Sequence, residues 1–533
     1  MNMKKLYNYL LILLVISVHT GTLSAQEAEF IKLSKDFVLH ADGSQELRCN
    51  KELKLFTHTA MNSTYGETFV VYNPDFQELK IHNCYTKQKD GTIIKAPENA
   101  FVEVLPRFAA DAPAYNQLKE MVIVHTGLDL GCTIYLDYSV VTKAGYYPEL
   151  DIDELLQESS PIREYSISVS IPESKSLNSF LYASTQKEAI QTANGMKKYF
   201  WQLKNIPASS RMPFLAQNKE NIPRLVANTY TNHEQALAVL KKQIESSVSL
   251  ESETYAQFIT ADCASVQEKI DLIHKYVVDN INTIPIPLSY NGFKFRSADE
   301  IIRNAYGTEI EKTNLLYKML EAINASPEII VWYPSTIQSS VSGLSSIKQV
   351  GIKVSAGDKI QYLSAMSNTS LKPELRGNLD NLFTIDGIMQ KIDVLPATYN
   401  KEMELNLDIN AAKNGFLVYD LPPSDGIDKW NIKYLNTKRT DLFEIPSMIQ
   451  DNISYTITVP EGTTLRSSAK PIEIKTSQGK VTRTIEKTGT KIKVVRSIEL
   501  NKSQYTPQEY DEVRKLITEW NSDSNKQLLF KVN

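Results

Sequence analysis

The chain has 533 residues, 42% hydrophobic and 23% charged, with a formal net charge of −4. That length exceeds one ordinary domain and sets a prior of three. The charge lacks the basic excess of an electrostatic nucleic-acid binder, and the mixed composition excludes a low-complexity chain.

Residues 1–25 read as a secretory signal peptide. Lys4 and Lys5 make a positive start, Leu10 to Val18 a short apolar stretch, and Thr22-Leu23-Ser24-Ala25 ends on a small residue. The cut is placed between Ala25 and Gln26. The competing reading is an uncleaved anchor, but the apolar stretch is too short to span a bilayer comfortably. No cysteine lies near the cut, so no lipid anchor is expected, and no later run is apolar enough for a membrane helix. The expected location is periplasmic or extracellular.

From Glu29 to about Ile206 the signal is β, helped by an abundance of tyrosine and β-branched residues. Short alternating runs (Phe37 to Leu39, Thr68 to Tyr72, Gln77 to Tyr85, Thr133 to Val141, Tyr165 to Ile171) are separated by turns such as Asp42-Gly43, Asn73-Pro74 and Asp90-Gly91. The expectation is a β-sandwich-like domain over 26–205. Cys49, Cys84 and Cys132 share this region. Export permits a disulfide among them, and the competing reading is three small buried hydrophobes. Residues 206–224, with Pro207, Pro213 and Pro223, read as a linker.

The pattern then turns helical: His233 to Val248, Ala264 to Asn282, and a short helix opened by Ser297. Thr308 and Glu311 form a capping box for a further helix, and Leu315, Leu316, Met319, Leu320 and Ile323 give it an apolar face. Ile329 to Tyr333, Val350 to Val354 and Lys359 to Ala365 read as strands. Helices followed by antiparallel strands predict an α+β domain over 225–400. From 401 to 533 the pattern is β again, with a terminal helix from Tyr510 to Trp520.

These fragments resemble, in order, the secreted bacterial transglutaminase-like proteins common in Bacteroidetes, many of which carry a protease label. The resemblance rests on Asp42-Gly43, Tyr65-Gly66, Asp90-Gly91-Thr92-Ile93-Ile94, Leu130-Gly131 and Ile171-Pro172. It continues through Tyr306-Gly307, Lys312, Leu315-Leu316, Val459-Pro460-Glu461-Gly462 and the Tyr510-to-Arg514 helix. It implies an α+β multidomain chain: an N-terminal β-sandwich-like domain, a papain-like transglutaminase core, and a C-terminal β-domain with a terminal helix. Active members read Gly-Asp-Cys-Lys-Asp-Lys at the helix start. This chain reads Gly307-Thr308-Glu309-Ile310-Glu311-Lys312, so the nucleophile's place falls on Glu309. The histidine and aspartate places fall on Gln349 and Ser364. Independently of alignment, the last histidine is His274, ahead of this helix, so no later residue supplies imidazole to a thiol there.

Other chemistry is weighed against plainer readings. Cys263 sits at a helix start, where a thiol pKa falls, but His274 lies about 16 Å further along that helix; a partner would have to be His233 or come from the β-domain. Glu309 at a helix N-terminus is expected to ionise easily. With Glu311 it reads as a solvated, dipole-complementing pair rather than a general acid. His40, His58, His82 and His125 lack metal-ligand spacing, so no metal and no cofactor are expected. Trp332 reads as core packing or as a wall of the inherited cleft. The sequence therefore predicts an exported, non-catalytic relative that binds through a cleft at Glu309, Gln349, Ser364 and Trp332. The ligand would be a peptide, an envelope polysaccharide or another exported protein. The alternatives are a hydrolase with Cys263 as a relocated nucleophile, and a purely structural spacer.

Overall fold

The computed structural model describes residues 26–357, 359–376, 379–432 and 434–532. The expected signal peptide, residues 1–25, lies outside the described residues, of which Gln26 is the first. No helix among the described residues is long and apolar enough to cross a membrane. By internal contacts the chain divides into two units. One comprises the residues up to Ser209 with Ala227–Thr231 and Ile284–Lys294. The other comprises Ser210–Val226, Asn232–Thr283 and Phe295–Asn533.

The first unit is built of strands β1 (Ala28–Leu39), β2 (Gln45–Leu55), β3 (Glu67–Tyr72), β4 (Gln77–Lys87), β5 (Ile93–Lys95) and β6 (Phe101–Val104). They are followed by β7 (Lys119–Val124), β8 (Thr133–Thr142), β9 (Ile162–Pro172), β10 (Ala189–Ala193) and β11 (Met196–Ile206). Eight of them form one sheet in the order β10-β11-β9-β1-β2-β8-β4-β5, and β3-β7-β6 form a smaller one. Val70 and Tyr72 of β3, Ile123 of β7 and Leu136 and Val140 of β8 share one apolar cluster, so the two sheets pack face to face. Strand β2 is not in the sequence reading. Its string of charges hides the alternation, yet Cys49, Leu53 and Leu55 are buried along it. All four cysteines are free thiols.

The second unit opens with helices α1 (His233–Glu245), α2 (Leu250–Ile259), α3 (Val266–Asn280), α4 (Ala298–Asn304) and α5 (Glu309–Glu321). A six-stranded sheet follows, built from β12 (Glu328–Pro334), β13 (Gln349–Ala356), β14 (Lys359–Ser364), β15 (Ser367–Leu371), β16 (Asp380–Thr384) and β17 (Met389–Gln390). Its order is β15-β14-β13-β12-β16-β17, and each neighbouring pair is antiparallel. Leu315, Leu316, Met319 and Leu320 of α5 are fully buried and cluster with Ile270, Ile273 and Val277 of α3 and with Ile329 and Ile352 of the sheet. The apolar spacing of α5 therefore becomes its packing face.

The C-terminal part of this unit has β18 (Ala397–Asn406), β19 (Phe416–Asp420), β20 (Ile449–Thr458), β21 (Thr463–Leu465), β22 (Ile472–Thr476), β23 (Gly479–Thr488) and β24 (Lys491–Leu500). Helix α6 (Tyr510–Trp520) and β25 (Gln527–Val532) complete it. A five-stranded sheet runs β18-β20-β24-β23-β22, beside a three-stranded β19-β25-β21. Tyr510, Val513, Leu516, Ile517 and Trp520 of α6 join the core of this part.

The expected α+β class with a papain-like transglutaminase core is corrected here. Strands make up 41% of the structure and helices 20%, in several sheets, and no papain-like core is seen. The helical stretch is short beside the strands on either side. The papain-like expectation came from a resemblance around one helix start, and a helix start does not specify the layers packed on it.

Candidate functional site

The start of α5 is held by a buried ion pair. Thr308 has the extended backbone of an N-cap residue, and Glu311 accepts its N–H at 2.8 Å through Oε2. The same carboxylate takes Arg296 Nε at 2.9 Å and Nη2 at 3.0 Å. Arg296 also donates to the Tyr306 carbonyl and lies 4.6 Å from the Tyr306 ring centroid. Glu311 is fully buried, not the solvated partner expected from sequence. Lys312 is also buried, and its Nζ donates to the Ile281 carbonyl at 2.7 Å and to Thr283 Oγ1 at 3.1 Å. Burial pushes the Lys312 amine down to about 8.

Glu309 occupies the first turn of α5. Its Oε1 accepts the Val350 N–H at a long 3.4 Å. Burial pushes its carboxyl up to about 7, against the small downward pull of that hydrogen bond. The expected depression is thus reversed: desolvation outweighs the helix dipole at this position. A carboxyl with that pKa carries a proton on roughly half of the molecules near neutrality.

The sheet separates the other predicted positions. Val331 pairs with Val350, and Ile329 with Ile352, on the face that carries the α5 cluster. Trp332 pairs with Gln349 and therefore lies on the opposite face, where Trp332 clusters with Ile330 and Leu382. Trp332 is 5% exposed and lines a cavity of about 20 Å³ with Arg376, Asp380 and Gln390. That is room for about one water. Ser364 is tied into the β14–β15 turn. Its Oγ accepts the Met366 N–H at 3.1 Å, and its carbonyl lies 2.8 Å from His274 Nε2. The structure brings Glu309 to the Val350 N–H of β13, next in the chain to Gln349, while the Trp332–Gln349 pair lies on the opposite face of the sheet and Ser364 is held in the β14–β15 turn.

Cys263 stands ahead of α3, whose N-cap is Ser265 in a capping box with Glu268, so the thiol does not occupy the first turn of that helix. A cysteine–histidine pair does exist elsewhere, and no sequence signal marks it because Cys84 lies on β4 while His125 follows β7, 41 residues on. Cys84 Sγ is 3.9 Å from His125 Nδ1, and Thr68 Oγ1 bridges His125 Nε2 at 2.8 Å to Lys51 Nζ at 2.6 Å. Burial and the Lys51 charge push His125 down to about 3, and burial pushes the Cys84 thiol up. A base that weak does not take a proton from a thiol that reluctant, so the pair is no nucleophilic dyad. Among the described residues, no group of three or more His, Cys, Asp or Glu side chains is placed to hold a metal ion.

Comparison with known proteins adds two domain families and one long relative. A domain of unknown function with a solved structure, DUF3857, matches residues 41–210, and a second, DUF3858, matches residues 416–530. A crystal structure described as "a putative protease" from Parabacteroides distasonis superposes with a TM-score of 0.88. Its sequence identity is 50%, over 95% of this chain and 99% of that one. The chain belongs to that protein's family. The protease description is that of the relative; what the superposition shows for this chain is the shared strand-rich architecture. An M1 zinc metallopeptidase from Deinococcus radiodurans matches at 10% identity over 39% of this chain and 44% of that one. Its TM-score of 0.18 carries no argument. No curated protein matches.

Proposed function

We propose that this family member is an exported, non-catalytic binding protein that engages a peptide segment at the start of α5. Its kinship to transglutaminase-like proteins, its division into three domains and its periplasmic or extracellular location belong to the same proposal. The observation that carries it is the identity of the group at the helix start. Where an acyl-transfer enzyme needs a thiol and an imidazole, this chain presents the Glu309 carboxyl against the Val350 N–H. His274, the last histidine, is engaged with the Ser364 carbonyl. Without a nucleophile and a base in reach there is no covalent intermediate and no proton shuttle. A carboxyl near the middle of its titration still binds, accepting peptide N–H groups or pairing with a cationic side chain.

Incubation of the mature protein with fluorogenic peptides is expected to give no turnover above buffer. Titration with a peptide library is expected to reveal binding that weakens about tenfold in Glu309→Ala. Robust hydrolysis that disappears in Glu309→Ala overturns the reading. A second reading, a purely structural helix, is favoured by one observation: Ile310 through Leu316 are buried without interruption. It predicts no peptide binding in either protein.

A further inference from the structure

The small sheet of the first unit, β3-β7-β6, turns an apolar face to solvent. Strand alternation separates its two faces. Val70, Tyr72 and Ile123 point into the core shared with the eight-stranded sheet. The register then sets Phe69, Val122 and Val102 in one row across the outer face, and Val71, Glu120 and Val104 in the next. Phe69 is 55% exposed, Val102 45% and Val104 38%. Glu67 opposite Val124 completes this face. It therefore carries two carboxylates and no cation. A row of exposed apolar side chains across a sheet marks an interaction surface.

The sheet is also open beside that face. Among the described residues β6 pairs with β7 alone, so its other edge presents backbone N–H and C=O groups to solvent. Open edges are usually blunted by lysine, proline or a bulge. Phe101–Val104 holds no lysine and no proline, and its register with β7 is regular. Glu103 lies between Val102 and Val104, is exposed, and by alternation falls on the opposite face, where it accepts the Tyr72 hydroxyl. Among the described residues no lysine or arginine pairs with Glu67, Glu103 or Glu120.

One occupant answers all of these features. An extended peptide along β6 would pair its backbone with the open edge. Its side chains beside Val102 and Val104 would prolong the two outer rows. The side chain beside Glu103 would fall on the other face, with Cβ atoms about 5 Å apart, where a cation is stabilised and a carboxylate repelled. We propose that β6 docks an extended peptide segment of alternating apolar and basic residues as a fourth strand of the small sheet. This site lies in the other unit from Glu309, so it does not rest on the reading of α5, and Val102→Lys rather than Glu309→Ala is the variant that reports on it.

The test is fluorescence anisotropy of the purified protein with three labelled ten-residue peptides, alternating valine–lysine, valine–glutamate and serine–lysine. The valine–lysine peptide is expected to bind at least about tenfold more tightly than either of the others. Val102→Lys, which places a cation in the outer row, is expected to weaken it about tenfold. Glu103→Lys is expected to reverse the preference in favour of valine–glutamate. Both positions are exposed, and an unchanged thermal midpoint confirms that the variants fold. Failure of the valine–lysine peptide to bind overturns the proposal, as does equal binding of serine–lysine, which would reduce the effect to net charge. A preference unchanged in Glu103→Lys also overturns it. A protein that is dimeric by light scattering and monomeric as Val102→Lys would assign the face to a second copy of this chain and overturn it too.

Discussion

At the scale of single residues, Glu309 behaves against its helix position. The helix dipole lowers a carboxyl pKa at the first turn by a modest amount, but removal from water wins and the group titrates at about 7 instead of 4.5. Because the folded pKa is raised, the charged form penalises the fold. The penalty is absent at acid pH, where both states are protonated, and grows as pH rises from the unfolded toward the folded value. Above that value it is complete. The shift corresponds to at most about 3 kcal/mol. Glu309→Gln keeps an oxygen for the Val350 N–H and removes the titration. It is expected to raise the unfolding free energy near pH 8 by up to that amount, with a matching rise in the denaturation midpoint, and to leave both unchanged near pH 4. Equal midpoint shifts at both pH values would sink this account. Sequence could not give the sign, because the spacing of Glu309 reveals a helix start and its dipole but not the β13 backbone packed over it. The same limit hid Glu311. It is legible as a capping residue, yet its pairing with Arg296 joins it to the loop ahead of α4.

At the scale of elements, that pairing makes the α5 start a clamp between the helix and the preceding loop. Glu311 receives Arg296, and also the Thr308 N–H, in a setting with no access to water. Arg296→Met leaves the carboxylate buried without its countercharge and is expected to cost about 3–5 kcal/mol. Adding Glu311→Gln removes the stranded charge and is expected to restore much of that loss, so chemical denaturation of the single and double variants gives a direct check. In the neighbouring sheet, Gly351 is a tight approach. A Cβ there would lie 2.9 Å from the Leu363 carbonyl oxygen and 3.1 Å from Trp332 Cζ3. Gly351→Ala is expected to destabilise by about 1–3 kcal/mol in the same measurement. Elements were legible where the sequence carries a clean period. Helix α5 follows from Leu315, Leu316, Met319 and Leu320, and β8 from its alternating apolar residues. Strand β2 was not, because Arg48, Lys51 and Glu52 break the alternation although the strand sits mid-sheet. Lys51 is accommodated there by a hydrogen bond from its ammonium to Thr68 Oγ1 on the facing sheet.

At the scale of the whole molecule, the order of the sequence fragments pointed to relatives that carry a protease label, and one such relative spans the chain, but the order misled on the class. The turn motifs recur along a chain whose relative from Parabacteroides distasonis covers 95% of it. The papain-like core was inferred from the ordered fragments and a helical stretch followed by strands, and the strand-rich whole overrides it. The cysteines show the same difference between local and global information. Cys49, Cys84 and Cys132 belong to one β-region, which made a bridge conceivable, but the strands that carry them hold them as separate thiols. A chain of this length buries enough surface to fold without cross-links, unlike small secreted domains that depend on them. Burial raises the thiol pKa values of Cys49, Cys84 and Cys132, which slows oxidation by keeping them protonated. The protein is therefore expected to show the same thermal midpoint with and without a reductant. Denatured without reductant, it is expected to titrate all four thiols. Fewer titratable thiols together with a midpoint that falls on reduction would mean that a disulfide forms in the chain, and that the β-region is held by a bond rather than by its packing.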